Sequence, residues 1–437
     1  MLRLGRRQLH TIFSREIIKP SSPTPSHLKT YNLSQLDQFV PHVYTPLILF
    51  YPNNKTCTLT ADDKARELKK SLSQSLTRYY PFAGRLHTPT ATYVDCNDEG
   101  VVFVEAKNDT HLSKFQRMIN EQDDDTFHQL FADAMVWQNT PHATSLVGVQ
   151  LTHFACGGLA VAVSMAHKIG DACNVSSYVS HWASVARYGS TDHKHVLPLN
   201  PRFIQSPDSS NFSPPLEMFS RVNQTCDNHV TRTFVFPNSK LNDLKNKVLA
   251  EAGSAAFINK PTRVEVLISL MYKTLVATTT KNSGLVTTMD ARNSFVPKVP
   301  QTTVGNFVLL MMVVTSDPSL SSVVSEIKKK KMERNNVRSF EQVLQNNELS
   351  MLGNEELEPV ADKPFYCSSV CSFPYNKVDF GWGKPAGASI SLRSSTLTGF
   401  VLMDTPNGDG IEAHVTLEKQ DMEMFQKYKE MLSFCQN

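Results

Sequence analysis

The sequence predicts an α/β protein of two domains. Three observations carry that prediction: a length of 437 residues, an alternation of strand-type and helix-type segments, and a Ser-, Pro- and Asn-rich stretch at 206–228. One hydrophobic core seldom serves so long a chain, whereas two domains of roughly 200 residues each suit it. Hydrophobic residues at 41%, charged residues at 19% and 24 prolines describe a globular chain rich in strands and turns. The expected division is an N-terminal domain over 1–205, a crossover linker over 206–230 and a C-terminal domain over 231–437.

The elements follow in order. Prolines at 20, 23 and 25 bar a helix from Lys19 to Ser26, because each biases its predecessor toward extended backbone and lacks a donor. Tyr44 to Tyr51 reads as a buried strand, and Ala65, Leu68, Leu72 and Leu76 give Asp62 to Arg78 a helical period. Pro81 and Gly84 stop that helix, and short strands follow at Tyr93 to Cys96 and Val101 to Ala106. Val147 to His153 and Leu159 to Met165 form a hairpin around Cys156-Gly157-Gly158. The second of these strands delivers the chain to His167. Asp171 then caps a helix whose apolar period runs through Val175, Val179 and Trp182 until Gly189 ends it. Past the linker come a strand at Thr231 to Phe236 and helices at Leu241 to Ala252 and Pro261 to Thr278. Strands at Leu285 to Met289 and Phe307 to Val314 precede a helical stretch from Leu320 to about Met351. Asn407-Gly408-Asp409-Gly410 turns a final hairpin between Gly399–Met403 and Ile411–Leu417.

Composition excludes several functions. A formal charge of +3 is too balanced for a nucleic-acid binder, which concentrates cations on one face. The run Lys328 to Lys331 is a solvated helix face, and Asp123-Asp124-Asp125 a solvated loop. Eight scattered cysteines fit a reduced, intracellular protein rather than a disulfide framework. The longest apolar runs fall far short of the roughly 20 residues of a membrane span. Residues 1–15 hold four arginines, no acid and five apolar side chains. They admit an organellar presequence, but their length favours a cytosolic protein.

His167 stands at a strand-to-helix turn, where a rigid strand fixes the backbone while the side chain faces a cleft. Neutral imidazole takes a proton from a hydroxyl near neutral pH. His-x3-Asp alone is also what a structural histidine beside a helix cap would give, and Asp171 can orient the ring or cap the helix. Metal ligation by His167 and Asp171 with His153 or His181 lacks a third ligand at motif spacing. No Gly-x-Ser-x-Gly elbow, phosphate loop or Gly-x-Gly-x-x-Gly occurs. In Asp379-Phe380-Gly381-Trp382-Gly383-Lys384-Pro385, two glycines and a proline around an aromatic pair mark either a tight turn or a loop pressed against a ligand or another element.

Together, His167-x3-Asp171 and Asp379-Phe380-Gly381-Trp382-Gly383 resemble the paired signatures of the plant BAHD acyltransferases. The likeness extends over nearly the whole chain, through Asn32-Leu33-Ser34-Gln35-Leu36-Asp37-Gln38, Tyr80-Pro81-Phe82-Ala83-Gly84-Arg85, Lys260-Pro261-Thr262-Arg263 and Gly305-Asn306. The detail is similar to the branch that acylates alkaloids, amines and sugar esters. The resemblance implies two similar domains of the chloramphenicol-acetyltransferase type with a solvent channel between them, and a monomer. It implies acyl-CoA as co-substrate with no bound cofactor, a small-molecule alcohol as acceptor, and neither nucleic acid nor membrane as partner.

Carried onto this sequence, it makes His167 the general base and Asp171 the residue that points away and holds the loop. Asp379 would be held by an arginine, with Arg292 as partner and Gly381 and Gly383 as structural support. Trp382 would offer its indole N–H near the developing oxyanion. The family's usual Asn-x-Arg reads Asp290-Ala291-Arg292 here, which makes that neighbourhood more negative. An esterase using the same base against water, and a non-catalytic relative acting as a binding partner, are the alternatives.

Overall fold

The computed structural model describes residues 10–88, 90–121, 127–136, 144–189, 202–203, 228–253, 260–279, 284–313, 315, 317–352, 364–390 and 397–436. The acidic triplet at 123–125 and the expected crossover as far as residue 227 lie outside them. The chain divides into two compact units, Met1–Ser210 with Pro374–Ile390, and Asn211–Phe373 with Ser391–Asn437. This corrects the expected domain plan, because the segment carrying Asp379 to Gly383 belongs to the first unit rather than the second. The return is built from backbone pairing: Ala386 N donates to Phe50 O at 2.8 Å, and a short late strand then joins the first sheet.

The sheet of the first unit has six strands. They are β1 (His10–Ile18), β2 (Tyr44–Tyr51), β3 (Val101–Asn108), β4 (Val147–Phe154), β5 (Leu159–Ala166) and β10 (Gly387–Ser389), in the order β1-β3-β4-β5-β2-β10. Only β3 and β4 run parallel; every other neighbour is antiparallel. β5 is buried at all eight positions, which is why it reads as an unbroken apolar run rather than an alternation. β1 went unread in the sequence. It is an edge strand exposed along most of its length, so it carries charge where a central strand carries apolar side chains. Six of the fifteen residues of the arginine-rich leader, His10 to Arg15, are therefore part of the fold, and Arg15 pairs with Asp133 at 2.7 Å.

Helices α2 (Ala61–Arg78) and α4 (Ala172–Tyr188) flank this sheet and pack together. Leu68, Leu72 and Leu76 of α2, and Val175, Val179 and Trp182 of α4, are all fully buried. A polar contact fixes their register: the Trp182 indole donates to Ser71 Oγ at 3.0 Å and to Leu68 O at 3.3 Å. Two smaller helices among the described residues are α1 (Gln35–Phe39) and α3 (Leu112–Glu121).

The second unit contains β6 (His229–Pro237), β7 (Leu285–Asp290), β8 (Val308–Val313), β9 (Phe365–Ser369), β11 (Gly399–Asp404) and β12 (Gly410–Glu418), in the order β8-β7-β9-β11-β12-β6. Helices α5 (Asn238–Ala252) and α6 (Arg263–Thr278), with α7 (Leu320–Glu333), bury Leu244, Leu270 and Val324 in one core with Phe400, Ala413 and Val415 of the sheet. The helical stretch expected from Leu320 to about Met351 is two helices, α7 and α8 (Phe340–Leu352). The break lies at Asn335-Asn336, where Asn336 adopts φ 65°, a left-handed conformation that Asn tolerates and a helix does not. Among the described residues, no helix is long and apolar enough to cross a membrane.

β12 carries an acid out of its ordinary range. Burial, reinforced by Asp409, pushes the Glu412 carboxyl up to about 7, and its Oε2 lies 3.7 Å from His414 Nε2. A carboxyl whose folded pKa is raised contributes stability that is complete below its ordinary value of 4.5 and lost as pH rises through about 7. Glu412→Gln keeps the neutral shape and removes the titration. Melting curves of the variant and the parent should coincide near pH 4 and separate above about pH 7, with the variant higher. Curves that stay parallel across that range would refute the assignment.

Candidate active site

The His167 turn is set by the two elements it joins. β5 ends at Ala166, and His167–Ile169 form a single 3-10 turn whose first amide donates to Val43 O at 2.8 Å. Gly170 follows in extended backbone; here the glycine is required by space, since a Cβ would meet Asn174 Cβ at 2.8 Å. Asp171 caps α4. Its carboxylate accepts from Asn174 N at 3.2 Å, while Asn174 Oδ1 accepts from Asp171 N at 3.3 Å, a reciprocal capping box. Asp171 is almost fully buried and His167 half-buried. Asp171 therefore gives its Oδ1 to the helix end.

Lys168, next to the histidine, was not singled out by sequence. It is 2% exposed, and its ammonium donates to Gln38 O at 3.0 Å. Burial lowers its pKa to about 8, against the opposing charge of Asp37. His153 and His181, weighed as metal ligands, are engaged separately. His153 lies 3.8 Å from Glu105, and His181 packs against the Tyr79 ring at 5.5 Å. Among the described residues, no group of three His, Cys, Asp or Glu stands at metal-binding distance.

The second motif lies in the same unit and folds around Asp379. Its Oδ1 accepts from Gly381 N at 2.8 Å and Gly383 N at 3.0 Å, and its Oδ2 accepts from Arg187 in a short ion pair. Both glycines adopt φ 112°, which turns their amides inward. The expected partner of Asp379 was Arg292, and this is corrected: the cation is Arg187, in the last turn of α4. Arg292 belongs to the second unit, fully buried, with Asp290 Oδ1 at 3.2 Å, the carbonyls of Thr303 and Gly305 at 3.2 and 3.1 Å, and the Phe307 ring 4.6 Å away. The aspartate that replaces the usual asparagine at 290 is thus one of its partners.

Trp382 is 3% exposed. It stacks on Phe380 at 5.5 Å and meets Tyr51 edge-on at 6.1 Å, and Lys64 Nζ lies 6.0 Å from its centroid. Asn54 Nδ2 donates to its carbonyl at 3.1 Å, and Phe380 in turn meets Trp182 of α4 edge-on at 4.8 Å. The indole N–H is buried and has no hydrogen-bond partner among the described residues.

Comparison with known proteins adds the family. A family model described as the Transferase family matches residues 10–432. Akuammiline synthase 1 of Alstonia scholaris is 36% identical over 435 residues, covering 97% of each chain. A limonoid 21-O-acetyltransferase of Melia azedarach is 34% identical, covering 95% of this chain and 96% of its own. Among solved structures, that of vinorine synthase superposes with a TM-score of 0.80 at 28% identity, covering 98% of each chain.

The two motif glycines make a clean test of the local geometry. A Cβ at Gly381 would come no closer than 3.9 Å to another atom, and one at Gly383 no closer than 3.6 Å, so space does not require glycine at either site. Backbone conformation does. Gly381→Ala and Gly383→Ala should each cost about 1–3 kcal/mol in denaturant unfolding; a loss below about 0.5 kcal/mol would show that the loop relaxes out of this conformation.

Proposed function

Because this chain belongs to the plant BAHD acyltransferases, we propose that it moves an acyl group, acetyl or short and branched, from coenzyme A to a hydroxyl of a specialised metabolite such as an alkaloid or an acylsugar. The observation that carries this reading is the His167 turn: a half-buried histidine with its backbone held by Val43 O, followed by an aspartate that caps the next helix. The relatives named above include one whose name specifies O-acetyl transfer, which favours a hydroxyl as acceptor.

In this mechanism His167 takes the proton from the acceptor hydroxyl. The resulting alkoxide attacks the thioester carbonyl carbon directly and gives a tetrahedral oxyanion. The C–S bond then breaks, and the imidazolium returns the proton to the departing thiolate. No acyl-enzyme forms. Asp171 holds the turn, its Oδ1 accepting from the Asn174 amide at the start of α4. Trp382 packs on Tyr51, which pairs with Leu159 at the opposite end of β2 from the Tyr44–Ala166 pair beside His167. The oxyanion role expected of its indole N–H is therefore not met in this geometry, and the residue is a packing group of its loop. Asp379, Gly381 and Gly383 keep the Trp382 loop in shape, and Arg292 braces the second unit. We place the protein in the cytosol, since residues 10–15 of its arginine-rich leader belong to β1.

His167→Ala should lose at least about 100-fold in kcat while keeping its circular-dichroism spectrum and melting temperature. Near-normal turnover in that variant would sink the assignment. Coenzyme A release measured with and without an alcohol separates transfer from hydrolysis: release should depend on the alcohol, and equal release in its absence marks an esterase.

A further inference from the structure

We propose that Tyr375 is a positioning residue for the His167 turn, acting through the first carbonyl of α4. The inference rests on the assignment of His167 as base. The Tyr375 hydroxyl donates to Ala172 O at 3.2 Å. Ala172 is the first residue of α4 and follows directly on Asp171, so this hydrogen bond lands on the helix end that terminates the catalytic turn. Tyr375 is 3% exposed, and burial holds its phenol well above its ordinary pKa, so it stays a donor throughout the working pH range.

The surrounding contacts give the hydrogen bond its purpose. Pro374–Ile390 touches α4 at three levels. Tyr375 meets the first residue, Phe380 packs edge-on against Trp182 in the middle, and Asp379 pairs with Arg187 in the last turn. The lower two contacts fix the helix against the loop. Of these three contacts, the upper one reaches the end where His167, Gly170 and Asp171 are arranged. The same segment also touches β2, but at the end away from the turn: Tyr51, opposite Leu159, donates its hydroxyl to Val378 O at 3.1 Å. β2 pairs along its whole length with β5, Tyr44 opposite Ala166, and so leads directly to His167. One segment thus touches both α4 and β2, and Tyr375 is its contact nearest the turn in sequence. A base misplaced by a fraction of an ångström loses rate without losing substrate affinity, which distinguishes a positioning residue from one that binds.

Tyr375→Phe deletes the hydroxyl and keeps the ring. The expected result is a fall in kcat of about tenfold with KM for acyl-CoA and for the acceptor within about twofold of the parent. Tyr51→Phe, which deletes the other hydroxyl of the segment, should leave kcat within about twofold while lowering the melting temperature. Unchanged kcat in Tyr375→Phe, an equal fall in both variants, or a Tyr375→Phe chain that does not fold would each overturn the inference, since each makes the hydroxyl a general structural contact. His167→Ala, assayed alongside, keeps the two readings apart. If it retains turnover, the assignment of the base fails. If it is inactive while Tyr375→Phe is normal, the positioning role alone fails.

Discussion

The hydrogen bond from Asn174 N to the Asp171 carboxylate is the constraint on which the rest of the site depends. A helix start leaves amides unsatisfied, and one buried beneath a central strand cannot leave them to water. Asp171 answers that need, and Asn174 answers for the Asp171 amide in return. The reciprocal box brings Asn174 against the backbone at 170, where only glycine fits, and so dictates the residue between the turn and the cap. Asp171 thereby fixes the start of α4 directly after the His167 turn.

A second carboxylate performs the corresponding task in the other motif. Asp379 gathers the amides of Gly381 and Gly383 and closes onto Arg187. The glycines are needed because φ 112° is closed to a side chain, not because the loop presses on a neighbour. The resulting turn presents Phe380 and Trp382 on one side, where Tyr51 of β2 and Trp182 of α4 receive them. Two motifs about 210 residues apart in sequence thus become one structure through α4, which begins at Asp171 and ends near Arg187.

The elements legible in the sequence were those whose local pattern and tertiary environment agree. β5 is apolar at nearly every position because it is covered on both faces. α2 shows a helical period because one of its faces is solvated. α4 was bounded at both ends by its cap and by Gly189, which adopts φ 78°. β1 was missed because an exposed edge strand lacks the alternation that marks a half-buried one. The return of residues 374–390 to the first unit was illegible for another reason: the pairing of β10 with β2 joins residues more than 300 apart and leaves no periodic trace in either. The misassigned partner of Asp379 follows from the same limit. Arg292 stood beside a family motif, whereas Arg187 is an unremarked cation at a helix end that becomes a partner only after folding.

Lys168 shows how much of the site lies in the backbone. A lysine with 2% exposure beside the proposed base is costly, and its pKa of about 8 records that cost. Its ammonium is met by Gln38 O, at the end of a short helix that opens with the Ser34–Asp37 capping box. Asp37 is itself buried and supplies the charge that keeps the lysine partly ionised. The turn is therefore suspended from three directions. Val43 O holds the His167 amide, Gln38 O holds the Lys168 ammonium, and the Asp171 box holds the following helix. Each of these contacts involves a main-chain group, and two of the three also need a side chain, that of Lys168 and that of Asp171. The geometry of the base is thus specified by the chain on either side of it, with Lys168 tying the turn to the end of α1.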